Sequence, residues 1–293
     1  MISDSIPLIA SRCHQTVDPV HLLCYFAPEA DQEFTSAGLE PGHMGYFAGR
    51  AAALGRASSA AVAAAFYNFN PALVALHLPR AWDLASPERV VEARMSAVDR
   101  ALRRVLGDGA VGSPEVAEAA GLARTAAEAC SPEGRPLYAA HAELPWPREP
   151  HLVLWHAITL LREHRGDGHV AALVGHGVGA IAALVTDTAT GKSLFSAEQV
   201  REHRAWSERD WDTEVAALTE SGLLDSSGRL TEAGALLRSR IEDATDAAAA
   251  PPYRSLGAER AERLIALCEP LRDAVVAAGE LPRNDTADPP AHG

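Results

Sequence analysis

The sequence predicts a mainly α-helical protein, and three observations carry that expectation. Apolar residues recur at helical spacing, strand-like alternation is almost missing, and one Ser, Asn or Asp after another precedes a Pro or an amphipathic run. With 293 residues, 47% of them hydrophobic, the chain can bury two modest cores, since domains of about 100–150 residues are typical.

Asp18, as an N-cap with Pro19 in the first turn, opens a helix through "DPVHLLCYFAPEADQEFTSAG". "GYFAGRAAALG" and "SSAAVAAAFYNF" follow as short helices, the second capped by Ser58 or Ser59. Asn70-Pro71 starts "NPALVALHLPRAW". "SPERVVEARMSAVDRALRRVLG" is a long amphipathic helix from Ser86-Pro87 to Gly107. "GDGAVGSP" reads as a loop, the stretch from Ser113 to Leu144 as one or two helices, and "PWPREP" as a break. The expected division is therefore a first half over 1–110, connecting helices and a Pro-rich linker over 111–148, a second half over 149–281, and a disordered polar tail over 282–293.

The second half opens with a helix from Pro150 that ends at Arg165-Gly166, where Asp167 caps the next. Ser196 and Gln199 form a capping box, and Ser207 with Asp210 starts another helix. A tight "SSGRLTEAG" turn then leads into "ALLRSRIEDATDAAAA". Helix, turn, helix, hairpin, helix is the order of a winged helix–turn–helix.

"GLLDSSGRLTEAGALLRSRIEDATD" resembles the wing and following helix of MarR-type regulators, over roughly residues 196–270. More broadly the chain is similar to an actinobacterial "helix-turn-helix family" that shares "FYNFxP" (here Phe66 to Pro71) and "WHAxTLLREHRGDGHVAAL" (here Trp155 to Leu173). That resemblance implies tandem winged helix–turn–helix halves, MarR-like, with the second copy the more complete and the first degenerate. It also implies that the long helix after "LTEAG" can form a homodimer.

Composition bears on partners. The net charge of −13 disfavours a polyanion partner, which needs clustered Lys and Arg. Lys192 is the only lysine, and the Ala, Gly and Arg enrichment fits a GC-rich genome. The helix that would enter the major groove begins "SERDWDTE", one arginine against four carboxylates, with Trp211, Val215 and Leu218 turned to the core. DNA binding is disfavoured on that surface. Four scattered cysteines make neither a disulfide framework nor a zinc site. No membrane span and no signal-peptide pattern is legible, so a cytoplasmic location is the expectation.

The densest chemistry lies in "LREHRGDGHVAALVGHGVGAIAAL", residues 161–184. "VGHGVGAIA" lacks the βαβ context of a dinucleotide site, and "GHGVG" has glycine where a nucleophile elbow needs serine. We read instead a polar corner at the mouth of a small-molecule pocket, with Leu152, His156, Thr159 and Glu163 along one inward stripe. His156 or His169 would carry a proton, Arg165 would hold an anionic group, and Asp167 or Glu163 would orient the histidine. Trp155, Thr159, His164, Tyr67, Asn68 and His14 are the candidate substrate contacts. The structural alternative is an ion-pair network of Arg162, Glu163, Arg165 and Asp167 that locks the corner. No cofactor is expected. A metal on His156, Glu163 and His169 is the lesser alternative.

The function expected from these readings is small-molecule handling on a repurposed winged-helix fold, leaning to cofactor-independent acid–base chemistry of secondary metabolism such as cyclisation, hydrolysis or isomerisation. A MarR-like ligand-responsive regulator is the first rival. A metabolite-sequestration protein and a DNA glycosylase follow, the last lacking any QxQ or QxD motif among Gln15, Gln32 and Gln199.

Overall fold

The computed structural model describes residues 6–282. Helices build the whole described chain: α1 (Ile6–Phe26), α2 (Pro28–Ala37), α3 (His43–Ala51), α4 (Ser59–Phe66), α5 (Pro71–His77), α6 (Ala81–Leu84), α7 (Pro87–Leu106), α8 (Asp108–Val111) and α9 (Pro114–Ala127) come first. There follow α10 (Pro136–Ala142), α11 (Pro150–Gly175), α12 (Ala180–Thr188), α13 (Ala197–His203), α14 (Glu208–Glu220), α15 (Glu232–Leu256) and α16 (Ala258–Ala278). Among the described residues no strand forms, and the hairpin between α14 and α15 is closed by a single antiparallel bridge, Leu224 to Leu230. The protein is mainly α, as its periodicity requires. The tail expected over 282–293 lies, beyond Pro282, outside the described residues.

Local capping signals set many boundaries. Ser58, Ser86, Ser196 and Ser207 each accept from a backbone N–H three residues on, and Ser196 completes its box with Gln199. Asn70 caps α5 through Ala72 N–H. Tertiary burial overrules other signals. Asp18-Pro19 does not start a helix: α1 begins at Ile6 and runs through Pro19, because Ile6, Ile9, Ala10, Cys13, Val17 and Val20 form one buried stripe. The expected break at Arg165-Gly166 is likewise absent. α11 continues through Gly166, Asp167 and Gly168 to Gly175, so Asp167 caps no following helix. Residues 108–111 make a short helix rather than a loop, α15 continues through Pro251 and Pro252, and α16 follows it as a further helix.

Three cores form. The largest joins α1, α7, α9, α11, α15 and α16, so residues from both sides of the expected 148 boundary share it. A second, aromatic core lies among α2 to α7, and a third joins α12 to α15 around Trp211, Leu218 and Ile241. The "LTEAG" glycine has a steric reason. A Cβ on Gly234 would stand 2.2 Å from the Leu223 carbonyl oxygen, a backbone atom that cannot swing away.

Candidate functional site

A polar cavity of about 460 Å³ opens between α1, α3 and the turn after α4 on one side and α11, α12 and α15 on the other. α1 supplies His14, and α3 supplies Tyr46 and Arg50. The turn after α4 supplies Tyr67 and Asn68. α11 lays down Arg162, Arg165, Gly166 and His169, spaced so that they share one helix face. Asp187 of α12, Arg204 after α13, and Arg238, Glu242 and Thr245 of α15 close the far side.

Five arginines in one cavity need counter-charge. Arg50 grips Glu163 with two parallel hydrogen bonds, 3.0 and 2.7 Å, and Glu163 is fully buried. Burial alone would raise the Glu163 carboxyl; the Arg50 guanidinium outweighs it and holds it well below the usual range. Arg162 donates to Asp18 at 2.6 Å and also stands 3.8 Å from Glu163. Arg165 donates to Asp246 at 2.5 Å and to Glu242 at 3.4 Å. Arg238 meets Glu242 at 2.9 Å and Asp187 at 3.5 Å.

Arg204 differs from the other four. Its guanidinium carbon lies 3.8 Å from the Phe69 ring centre, and its polar neighbour is the Tyr46 hydroxyl. Among the described residues no carboxylate stands within ion-pairing distance of it. Burial lowers its pKa from the ordinary value.

The cavity histidines are neutral near pH 7. Burial, aided by Arg238 and Arg165, pulls His169 down to about 4, and burial pulls His14 to about 4 as well. Thr245 gives its hydroxyl proton to the Ile241 carbonyl at 2.7 Å, so its oxygen accepts from His169 Nδ1 at 2.9 Å. That leaves His169 Nε2 as an acceptor.

Of the residues singled out in the sequence, the cavity gathers His14, Tyr67, Asn68, Arg165 and His169. The other six do not line it. His156 lies edge-on to Trp146 at 4.8 Å, on a water-sized void that it shares with Arg94 and Trp155. Trp155 stacks on His21 at 5.3 Å, and Thr159 donates to the Trp155 carbonyl. His164 meets the edge of Tyr138, while Asp167 accepts from Tyr138 N–H at 3.0 Å and so caps α10 from a distance. Glu163 sits behind Arg50. An α-helix turns about 100° per residue, so His156, Glu163, His164 and Asp167 face the core when Arg162, Arg165 and His169 face the cavity. The expected metal trio is split between the two faces, His156 and Glu163 on the core side and His169 on the cavity side, with Glu163 bonded to Arg50 and His169 to Thr245. Among the described residues no three His, Cys, Asp or Glu side chains gather as a metal-binding group.

"FYNFNP" clasps the turn after α4 to the segments before α12 and after α13. Tyr67, at φ +61°, donates its hydroxyl to the Val178 carbonyl. The Asn68 carbonyl accepts from Trp206 Nε1 at 3.0 Å, and Asn70 donates to Ala205 O at 2.9 Å. Arg50, Arg204, Arg238, Glu242 and Thr245 also line the cavity, and no motif of the sequence singles them out. A signal existed for three of them, because 238, 242 and 245 recur at i, i+4 and i+7 as a polar stripe.

The start of α14 is acidic. Glu208, Asp210 and Asp212 are exposed at the start of α14, with Arg209 as the adjacent cation, while Trp211 and Leu218 are buried. No single helix among the described residues is long and apolar enough to cross a membrane. Over residues 10–282 the chain matches the protein family described as "Helix-turn-helix family". No curated protein and no solved structure matches it.

Proposed function

The chain belongs to this helix-turn-helix family, and from that premise we propose that it handles a small organic molecule, held in the cavity between its two halves. The observation that carries this reading is the arginine-lined cavity itself, about 460 Å³ at a seam between units, within the range of ligand sites. The exposed carboxylates of α14 oppose the rival reading, because a duplex repels them. We read the α14–α15 hairpin, with its single bridge and short exposed turn, as a MarR-like wing whose one cation, Arg229, is paired with Asp225 at 3.3 Å.

The first half reads as a degenerate second copy of the same unit. Caps at Ser58, Asn70 and Ser86 precede two short helices and a long one, as caps at Ser196, Ser207 and Thr231 do in the second half. Acid–base turnover is the second reading, favoured by the Thr245 contact, which ties up Nδ1 of His169 on the cavity wall and leaves Nε2 as its acceptor nitrogen. With its pKa near 4, that histidine would accept a proton rather than supply one at neutral pH.

Thermal-shift and calorimetric titration with a panel of small organic acids tests the proposal. At least one acid should raise the melting temperature of the wild type, and Arg165→Ala should weaken its binding. A protein that binds none of them, yet retards its own promoter DNA at physiological salt, would be a regulator instead.

A further inference from the structure

The polar cavity does not stand alone. A second chamber of about 610 Å³ adjoins it, and Tyr46, Phe69, Arg162 and Arg204 line both. The second chamber is mostly apolar, walled by Leu22, Phe26, Phe34, Leu194, Phe195 and Val200, with Asp18, Asp31, His43 and His203 as its polar lining beside the two shared arginines. An arginine-lined space and an aromatic one therefore meet at a shared wall.

Charge pairing in that wall is uneven. Arg162 is matched to Asp18, as Arg50 is to Glu163, Arg165 to Asp246 and Arg238 to Glu242. Arg204 has only an aromatic face and a phenol hydroxyl. A half-buried guanidinium with five N–H donors and no carboxylate is an anion site in want of its anion. One unmatched cation fits one negative charge. A polyphosphate would crowd carboxylates already seated on the neighbouring arginines.

Resting on the reading of the cavity as a ligand site, we infer that the ligand is an amphiphilic monoacid. Its carboxylate seats on Arg204 and Tyr46, and its apolar body fills the chamber between α1, α2 and the segment before α13. The carboxylate would form the bidentate pair that guanidinium favours, and the aromatic wall would take the chain by area burial.

Calorimetry on the full chain tests this with decanoate, decanol, acetate and succinate as probes. Decanoate should bind more tightly than decanol or acetate. Arg204→Met should weaken decanoate about ten- to hundredfold, the range of a lost charge-assisted bond, and leave decanol unchanged. Arg204→Lys should recover part of the loss. Leu194→Asp, at a 48%-exposed position on the chamber wall, should weaken decanoate with the fold intact, and it keeps the test open if Arg204→Met does not fold. Equal binding of decanoate and decanol overturns the inference, as does unchanged decanoate affinity in both Arg204→Met and Leu194→Asp. If succinate binds in an Arg165-dependent way and decanoate does not, the monoacid fails and the ligand site stands. If no acid binds at all, the ligand site fails with it.

Discussion

On one face of α11, His156, Glu163, His164 and Asp167 are buried against other protein groups; on the other face, Arg162, Arg165 and His169 line a cavity. Both faces carry titratable side chains, carboxylates and histidines on the first and arginines with a histidine on the second. What separates them is whether the space opposite is filled by protein. Arg50 fills it for Glu163, and Tyr138 fills it for both His164 and Asp167. Clustering of titratable residues along a helix thus identifies two kinds of site, and only tertiary structure tells them apart.

The largest expected effect involves both faces. His14, His141, His156, His164 and His169 are all depressed to about 4, primarily by burial. A histidine depressed in the fold is protonated first in the unfolded chain. Its contribution is therefore present above about 6.5 and lost as pH falls toward 4. Glu163, held low by Arg50, adds a loss at still lower pH. Denaturant unfolding at a series of pH values should give stability that drops steeply between pH 6.5 and 4, with several protons taken up on unfolding. A flat profile across that window would mean these histidines are solvated.

Glu163→Ala should come next. It leaves the Arg50 guanidinium, only 13% exposed at the cavity wall, without its carboxylate, and breaking a buried pair costs about 3–5 kcal/mol. Arg165→Ala, on the cavity face, should cost clearly less, because water can reach Asp246 and Glu242. Urea midpoints of the two variants measure the contrast. Equal losses would erase the distinction between the faces.

Two glycines one turn-fraction apart sharpen it further. A Cβ on Gly168 would meet Arg135 Nη1 at 2.6 Å and the Ala248 methyl at 3.2 Å. Arg135 is held by the His164 and Ala248 carbonyls, so it must give up a bond to move. Gly168→Ala should lose about 1–3 kcal/mol by overpacking. Gly166→Ala meets only a 3.9 Å contact with Glu163 and should be neutral or gain up to about 1 kcal/mol of helix propensity. Circular-dichroism melts of both variants decide this, and a destabilised Gly166→Ala would mean that the cavity face is packed.

Local chemistry was legible in the sequence and long-range chemistry was not. The caps at Ser58, Ser86, Ser196 and Ser207 act within three residues, so the chain announces them. Pro19 and the pair Gly166 and Gly168 are equally local signals, but each sits inside a helix whose buried stripe is worth more than the signal. The partner of Glu163 lies 113 residues away in "AGRAAALG", where a lone arginine inside an apolar helix was the one available hint. Five candidate contacts reached the cavity because Tyr67 and Asn68 mark the clasp and because Arg165 and His169 are a helical turn apart. Arg204 gave no hint, since nothing in a turn sequence reports which cation will lack a counter-charge.

Asp167 offers the smallest and most specific test. Burial raises its carboxyl to about 6 even though Tyr138 N–H bonds the charged form. A carboxyl raised in the fold contributes stability that is fully present below about 3.8 and lost as pH rises through 6. The charged form is therefore a burden at pH 7.5. Asn keeps an oxygen for Tyr138 N–H and removes the charge, so Asp167→Asn should gain on the wild type by about 1 kcal/mol at pH 7.5 and by little at pH 4.5. A pH-independent difference between the two proteins would show that water reaches Asp167, and the core face of α11 would then be open where the packing against Tyr138 says it is shut.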